Sequence, residues 1–209
     1  MEYLVCACIG YGFGCLNPAY FISKIKHTDI RKKGTGNLGT TNAFLNFGKT
    51  CGCLVLFLDM FKAFAAVKIC QGLFGEFLLA GVVAGCMAVI GHIFPFYTGF
   101  RGGKGIASFG GFILSVDWRC FLLLLLIGCI AAFLVNYGYG ISFSAAALFP
   151  LLYSYKLHSV SAFWCLLICS VVIVCKHMDN LRKIKEGEEM TVRKFLRKLV
   201  LGEKKSGRE

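Results

Sequence analysis

Long apolar segments separated by short polar loops run along almost the whole chain. Their lengths predict seven helices, at residues 3–22, 51–71, 77–95, 106–117, 120–136, 141–155 and 160–175. Continuous apolar runs such as 121–135 lack the strict alternation of a membrane β-barrel strand. Because a straight helix needs about 20 apolar residues to cross a bilayer, the fourth, sixth and seventh segments are predicted to be short. The pattern predicts an all-α, polytopic membrane protein with about seven transmembrane helices, some of them short or broken.

Composition supports a membrane protein and argues against several other classes. Of the 209 residues, 57% are hydrophobic and only 3 are proline. No basic residue precedes the first segment and no clear small-residue cleavage site follows it, so it is predicted to be a span rather than a signal peptide. The 12 cysteines lie mostly inside apolar runs, and the 4 histidines are scattered. This spacing predicts no disulfide framework and no metal site, and no cofactor is predicted.

Basic residues are concentrated in one set of connections. Six lie in the 23–50 loop, two in 99–105 and eleven from Lys176 onward, whereas the alternate loops hold only Arg119 and Lys156. Because cytoplasmic loops carry the excess of Lys and Arg, the N-terminus is predicted outside and the C-terminus in the cytoplasm. The net charge of +12 therefore follows the membrane edges, and nucleic-acid binding is not predicted.

The C-terminal segment has a different character. Residues 189–201 place apolar side chains among basic ones at helical spacing, which is typical of an amphipathic helix on an anionic membrane surface. Residues 202–209 are predicted to form a basic, disordered tail. Residues 1–201 then make one membrane-embedded domain.

Two glycine-rich polar stretches interrupt the apolar pattern. Residues 34–42 read GTGNLGTTN, and residues 102–105 read GGKG. Glycines can turn backbone N–H groups toward an anion, and lysine adds a point charge that suits phosphate. Neither stretch is a Walker motif, because Thr98 and Gly105 stand where that motif has Gly and Ser or Thr. The two stretches predict a phosphate-bearing substrate at the membrane surface, although tight turns between helices have the same composition.

Two opposite charges lie inside the second apolar segment. Asp59 and Lys62 are three residues apart and so share one face of a helix. A charge at the centre of a membrane helix costs about 2.5–3.5 kcal/mol, so such residues usually face the bundle and pair. The spacing leaves two roles open, an ion pair that locks helices together or a direct contact with substrate.

Three motifs stand in order along the chain. They are GTGNLGTTN at 34–42, GHIFPFYTGFRGGKGIAS at 91–108 and HMDNLRKIKEGEE at 177–189. Together they resemble the PlsY family of integral-membrane glycerol-3-phosphate acyltransferases, and the resemblance also includes Asp59 and Lys62. It implies a seven-helix fold that moves a fatty acyl group from acyl phosphate to the 1-hydroxyl of sn-glycerol 3-phosphate. The product would be lysophosphatidic acid, made without direct use of acyl-CoA or acyl carrier protein.

The resemblance also implies partners and a location. The substrates would be acyl phosphate and glycerol 3-phosphate, and the surrounding partner would be membrane lipid. The protein would be a multi-pass protein of the bacterial plasma membrane with its active site facing the cytoplasm. The oligomeric state stays open.

The same match gives roles to individual residues. It implies that Lys104, His177 and Asn180 are catalytic, with Lys104 neutralising the repulsion between two phosphates. His177, just after the last predicted span, would accept the proton of the attacking hydroxyl, or would only orient glycerol phosphate while a substrate phosphate takes the proton. Ser142 would lie near phosphate or bond back to its own helix. The residues implied in substrate binding are Thr35, Gly36, Asn37, Gly39, Asn42, His92, Gly102, Gly103, Gly105, Ser108, Ser142 and Arg182.

The chain departs from the family pattern at four positions. Thr35 replaces a serine and Ser108 replaces a threonine, so both keep a hydroxyl. Leu45 stands where an arginine is common, and leucine cannot act as a two-donor phosphate clamp. Gly138 replaces a second basic residue. These changes leave several alternatives open: weaker binding of glycerol phosphate, use of Lys49 or another cation in place of the arginine, or an impaired or substrate-altered homologue.

A transporter of a phosphorylated solute is the other class considered. Such a protein would also use broken helices and cationic loops, but it commonly contains internal repeats. No repeat is found in the sequence, and all three motifs fall on the same predicted side of the membrane.

Overall fold

The computed structural model describes residues 1–201, and the regular elements in that range are helices. The α-helices are α1 (Glu2–Cys15), α2 (Pro18–Ile25), α3 (Thr40–Phe47), α4 (Lys49–Leu73), α5 (Ala80–Ile93), α6 (Ile106–Val116), α7 (Trp118–Val135), α8 (Tyr139–Leu157), α9 (Val160–Lys185) and α10 (Val192–Leu201). Short 3₁₀ turns lie at Ile30–Lys32 and Phe96–Thr98. Four segments are long and apolar enough to cross a membrane: Glu2–Ile25, Ala80–Thr98, Trp118–Val135 and Val160–Lys185. The predicted all-α class is confirmed.

The predicted first span is two helices rather than one. An extended turn at Leu16 and Asn17 separates α1 from α2, which begins at Pro18. The Asn17 side chain caps α2 by accepting a hydrogen bond of 3.0 Å from the backbone N–H of Tyr20. The single helix over 3–22 is therefore wrong, because Asn17 and Pro18 start a new helix inside an apolar run.

The last two long helices exceed the apolar runs that predicted them. α8 has 19 residues and α9 has 26, so the prediction that the sixth and seventh helices are short is wrong. α9 continues to Lys185 because Lys, Arg and Met sustain a helix as well as apolar residues do. It stops close to Gly187, whose positive φ of 70° cannot continue a helix. Helix α6, with 11 residues, is short as predicted.

A short helix interrupts the polar connection at 23–50. Helix α3 follows the first motif directly and buries Asn42 and Ala43. Gly48, with φ of 89°, ends α3 and turns the chain into α4. Helix α3 was not predicted, because only one face of its eight residues is buried and its sequence is therefore not a continuous apolar run.

Three phenylalanines form the centre of the bundle. Phe109 and Phe112 of α6 and Phe149 of α8 are fully buried, and both α6 rings lie edge-on to Phe149 at centroid distances of 5.5 Å.

Because the chain reverses direction from each helix to the next between α4 and α9, the three motifs lie at one end of the bundle. We call this end the motif end. At the opposite, distal end α4, α6 and α8 finish, and α5, α7 and α9 begin.

The predicted amphipathic segment is helical, and it is docked at the motif end. The backbone N–H of Val192 donates to the Asn136 carbonyl at 2.9 Å, which holds the start of α10 against the turn between α7 and α8. The ring of Phe195 lies 5.1 Å from that of Phe44 on α3. Helix α10 therefore bridges two parts of the motif end. The tail predicted for 202–209 lies outside the described residues.

Candidate functional site

The second motif forms a tight loop against the end of α5. The N–H groups of Gly102 and Gly103 donate to the carbonyls of Ile93 and His92 at 3.0 and 3.1 Å. A Cβ at Gly103 would overlap the His92 imidazole and come within 2.8 Å of the Leu38 carbonyl oxygen. These two glycines therefore serve close packing. The prediction that the N–H groups of this loop form an open anion nest is wrong for both, because α5 already uses them.

The free N–H groups lie one step further along, at the start of α6. The first residues of a helix have no carbonyl four positions back to accept from them, so they attract anions. Within the described chain, the N–H groups of Ile106, Ala107 and Ser108 donate to no other group. The Ser108 hydroxyl is fully buried beside them and has no partner among the described residues. Gly105, with φ of 87°, makes the turn that aims this helix start.

Lys104 connects the second motif to the third. Its ammonium donates to the side-chain oxygen of Asn180 on α9, and the Asn180 amide donates to the Glu189 carboxylate at 2.8 Å. Burial lowers the pKa of Lys104, and the nearby Glu189 carboxylate opposes that shift. A half-buried cation is thus held between α6 and α9, where an anion would be strongly attracted.

His177 lies inside α9 rather than after the last span, which corrects its predicted position. Its Nδ1 is 2.8 Å from the Ile173 carbonyl oxygen, and its Nε2 is 3.0 Å from the Ser142 hydroxyl on α8. Because a carbonyl only accepts, Nδ1 carries a proton and Nε2 of the neutral ring accepts from Ser142. The basic nitrogen of a buried histidine therefore faces a serine. Asn180 lies one turn further along α9, on the same side of the helix.

The first motif is folded around the side chain of Asn42. The Asn42 oxygen accepts from the Thr35 N–H at 2.9 Å, and its amide donates to the carbonyls of Ile30 and Asn37 at 3.0 and 2.9 Å. The side chain is only 1% exposed. Asn42 therefore positions the loop, and Thr35, Gly36 and Asn37 form its accessible part.

Replacing Asn42 with alanine is expected to lower stability as well as activity. Removing this amide leaves buried backbone groups without partners, which costs about 1–3 kcal/mol for each group. A thermal unfolding measurement in detergent should show a clear drop in melting temperature. Thr41→Ala, at an exposed neighbouring position, is the matched control and should unfold like the parent. An Asn42→Ala protein of parental stability that has lost only substrate affinity would contradict the positioning role.

Lys183 is a site residue that the sequence reading missed. Its ammonium donates to the Thr35 carbonyl at 3.4 Å, so α9 contacts the first motif as well as the second. From the sequence, position 183 was counted only among the eleven basic residues from Lys176 onward. Position 183 lies three residues after Asn180 and therefore beside it, whereas position 182 falls on the other side of the helix. The structure agrees: the Arg182 side chain is 82% exposed and pairs with Glu186 at 3.0 Å.

Asp59 and Lys62 form a buried ion pair that His92 joins. The Lys62 ammonium lies 2.8 Å from the Asp59 carboxylate, 2.7 Å from the Leu16 carbonyl and 2.9 Å from Nδ1 of His92. The ammonium donates to the carboxylate and to the carbonyl, and Nδ1 of His92 also lies 3.1 Å from the Asp59 carboxylate, within hydrogen-bond distance of both charged groups. Lys62 caps the broken end of α1 and fixes the imidazole that underlies Gly103. Of the two roles left open by the sequence, this geometry favours the one that locks helices together.

The structure thus brings most of the predicted site residues together at the motif end. Thr35, Lys104, Asn180 and the Ser142–His177 pair are linked through α9, with Ser108 at the adjoining start of α6. His92 is 3% exposed and lies beneath the loop, and Arg182 points away from it.

Comparisons with known proteins agree with this arrangement. The family model for glycerol-3-phosphate acyltransferase matches residues 4–187. A glycerol-3-phosphate acyltransferase of Thermosipho melanesiensis is 35% identical over 196 residues, covering 90% of this chain and 92% of the relative. One of Streptococcus thermophilus is 33% identical over 202 residues, covering 92% and 94%.

Two crystal structures of PlsY (YgiH), an integral membrane glycerol 3-phosphate acyltransferase, have the same fold. The glycerol 3-phosphate form has a TM-score of 0.82 and 28% identity, covering 91% of this chain and 96% of that one. The lysophosphatidic acid form has a TM-score of 0.81 and 27% identity, covering 94% and 99%. On its motifs, its fold and its relatives, this chain belongs to the glycerol-3-phosphate acyltransferase family.

Proposed function

We propose that this protein transfers a fatty acyl group from acyl phosphate to the 1-hydroxyl of sn-glycerol 3-phosphate. The main observation behind the proposal is that the first and second motifs both contact the third motif on α9. There, Lys104 and Lys183 place two cations beside the free start of α6 and the Ser142–His177 pair. Both substrates bear phosphate, and a site with two cations and unpaired helix N–H groups suits two anions.

The chemistry of acyl phosphate matches what these residues can supply. Acyl phosphate is a mixed anhydride with a good leaving group, so transfer needs no protein nucleophile. The 1-hydroxyl oxygen forms a bond to the acyl carbonyl carbon, the bond from that carbon to the phosphate oxygen breaks, and inorganic phosphate leaves. Catalysis then rests on holding two anions together and on donors that stabilise the carbonyl oxyanion.

His177 is the group we assign to accept the hydroxyl proton. Its Nδ1 proton is held by the Ile173 carbonyl, which leaves Nε2 as the basic nitrogen. The 1-hydroxyl would take the place of the Ser142 hydroxyl at Nε2 when glycerol phosphate binds. A histidine held in this tautomer is suited to general-base catalysis near neutral pH.

Lys183 is the candidate cation for the position that Leu45 leaves without an arginine. Leu45 is half-buried on α3, and Lys183 reaches the first motif from α9. An ammonium group neutralises phosphate as a point charge, although it lacks the planar fork of arginine.

Replacing Lys183 with methionine is expected to raise the apparent KM for glycerol 3-phosphate by about tenfold or more. The expected size follows from the loss of a hydrogen bond to a charged group, which contributes about 1.5–3 kcal/mol. Steady-state kinetics in detergent micelles would measure it. Arg182→Met is the matched control, since its side chain points to solvent and should change KM by less than about twofold. Equal effects at both positions would show that only the overall charge of this region matters.

The location at the bacterial plasma membrane, with the site facing the cytoplasm, is part of the same proposal. Most of the basic residues lie at the motif end, including those of α10, and such an excess marks the cytoplasmic side.

The direct test is release of inorganic phosphate from acyl phosphate by the purified protein in lipid nanodiscs. We expect release only when glycerol 3-phosphate is present, with one lysophosphatidic acid formed for each phosphate. No lysophosphatidic acid under these conditions would overturn the proposal. Uptake of intact glycerol 3-phosphate into sealed vesicles, without product, would instead support the transporter.

A further inference from the structure

A charged cavity lies at the distal end of the bundle, away from all three motifs. It has a volume of about 660 Å³. Its lining combines apolar and aromatic side chains with three cations and one carboxylate: Phe64, Lys68, Leu114, Ser115, Val116, Asp117, Trp118, Arg119 and Lys156. This volume lies within the range of sites that hold small ligands.

The cavity exists because α6 is short. With 11 residues, α6 is only about 17 Å long, whereas α4 beside it has 25 residues and extends about 38 Å. The bundle therefore lacks one helix in the last part of its length. Lys68, about 29 Å along α4 from its start, projects beside this gap at the depth expected of a membrane surface.

The charges of the cavity are not balanced by its own groups. The single carboxylate, Asp117, is already used: it caps α7 by accepting from two backbone N–H groups, and it pairs with Lys156 at 2.5 Å. Among the side chains that the structure describes, neither Lys68 nor Arg119 has a carboxylate within 4.0 Å. Arg119 lies over the Trp118 ring at 5.4 Å, and Trp118 is 58% exposed. Two cations thus face a cavity with an apolar wall at a membrane-facing surface.

We propose that this cavity binds the headgroup of an anionic phospholipid from the leaflet at the distal end. Lys68 and Arg119 would contact the phosphate, and the acyl chains would leave along Phe64 and Trp118. A soluble phosphate would gain nothing from that apolar wall, so the charge and the aromatic surface together favour a lipid. This inference does not depend on the acyltransferase reaction.

Quenching of Trp118 fluorescence by brominated lipid tests the proposal. The chain has 2 tryptophans, so Trp164→Phe leaves Trp118 as the reporter. In nanodiscs without substrate, brominated phosphatidylglycerol should quench at a lower mole fraction than brominated phosphatidylcholine. A basic residue near an anionic surface contributes about 1 kcal/mol, which corresponds to about fivefold for each cation.

Variants of the two cations identify the binding site. In the double variant Lys68→Gln with Arg119→Gln, both lipids should quench Trp118 equally. In Arg119→Lys, the anionic lipid should still quench at the lower mole fraction. Lys24→Gln combined with Lys26→Gln removes the same charge from exposed positions at the motif end and should also keep it. Circular dichroism of each variant checks that the helices are intact.

Three results would overturn the proposal. The first is equal quenching by both lipids in the parent protein, and the second is an unchanged preference in the Lys68/Arg119 double variant. The third is relief of quenching by inorganic phosphate at the same concentration as the lipid, which would identify the ligand as free phosphate.

Discussion

Replacing His177 with alanine should lower kcat by about a hundredfold to ten-thousandfold, the range contributed by a positioned general base. The buried imidazole has its Nδ1 proton fixed by Ile173 and its Nε2 directed at Ser142, so the imidazole is the member of the Ser142–His177 pair that can accept a proton. The apparent KM for glycerol 3-phosphate should change much less than kcat. Steady-state kinetics of phosphate release at saturating substrate would measure the effect.

Ser142→Ala separates the two roles left open for His177. If the imidazole accepts the substrate proton directly, losing the serine should cost only a few-fold in kcat, because the substrate hydroxyl displaces it. If the imidazole only orients substrate through Ser142, the two variants should lose similar amounts, mainly in KM. A His177→Ala protein that is correctly folded and within about threefold of the parental kcat would contradict the base assignment.

Replacing Lys104 with methionine should lower kcat/KM by about a hundredfold or more while the protein still inserts and folds. Methionine keeps most of the side-chain length but removes the ammonium that bonds to Asn180. A hydrogen bond to a charged group contributes about 1.5–3 kcal/mol, and here the charge also offsets repulsion between two phosphates. Both kcat and KM should change, because the proposed role of this cation is to bind substrate phosphate and to stabilise the developing charge.

Lys185→Met is the control for this variant, since Lys185 is exposed near the end of the same helix, α9. It should keep close to parental kinetics and give a reference for expression and thermal unfolding. A Lys104→Met protein that retains more than half of the parental rate at saturating substrate would remove Lys104 from the catalytic groups.

Much of this fold could be predicted because membrane helices have long apolar runs in their sequences. The segments that became α4, α5, α6 and α7 were located to within a few residues, since polar residues, glycine or proline bound their apolar runs. The motifs likewise indicated which end of the bundle carries the chemistry. The predicted helix ends were less accurate where hydrogen bonding rather than hydropathy sets the end. This is the case at Asn17, which starts a new helix, and in the polar part of α9.

The organisation of the site itself was less visible in sequence. Asn42 and His92 were predicted to bind substrate, yet one is the hydrogen-bonded centre of a loop and the other lies beneath Gly103. The hydrogen bonds of Asn42 depend on how the loop folds back on itself, and the position of His92 depends on how closely the backbone at Gly103 approaches its ring. Lys183 was missed for the opposite reason, because its role follows from simple helical spacing in a helix that was predicted to end too early.

The contact of the Asp59–Lys62 pair with the turn between α1 and α2 also affects how the protein inserts into the membrane during synthesis. Asp59 and Lys62 enter the translocon within α4, where each isolated charge at mid-membrane would cost about 2.5–3.5 kcal/mol. Their first outside partner, the Leu16 carbonyl, has already been synthesised, whereas His92 emerges about thirty residues later. We therefore expect α1 and the turn that follows it to act as an assembly partner for α4, so that release of α4 into lipid depends on the segment ahead of it as well as on its own hydrophobicity.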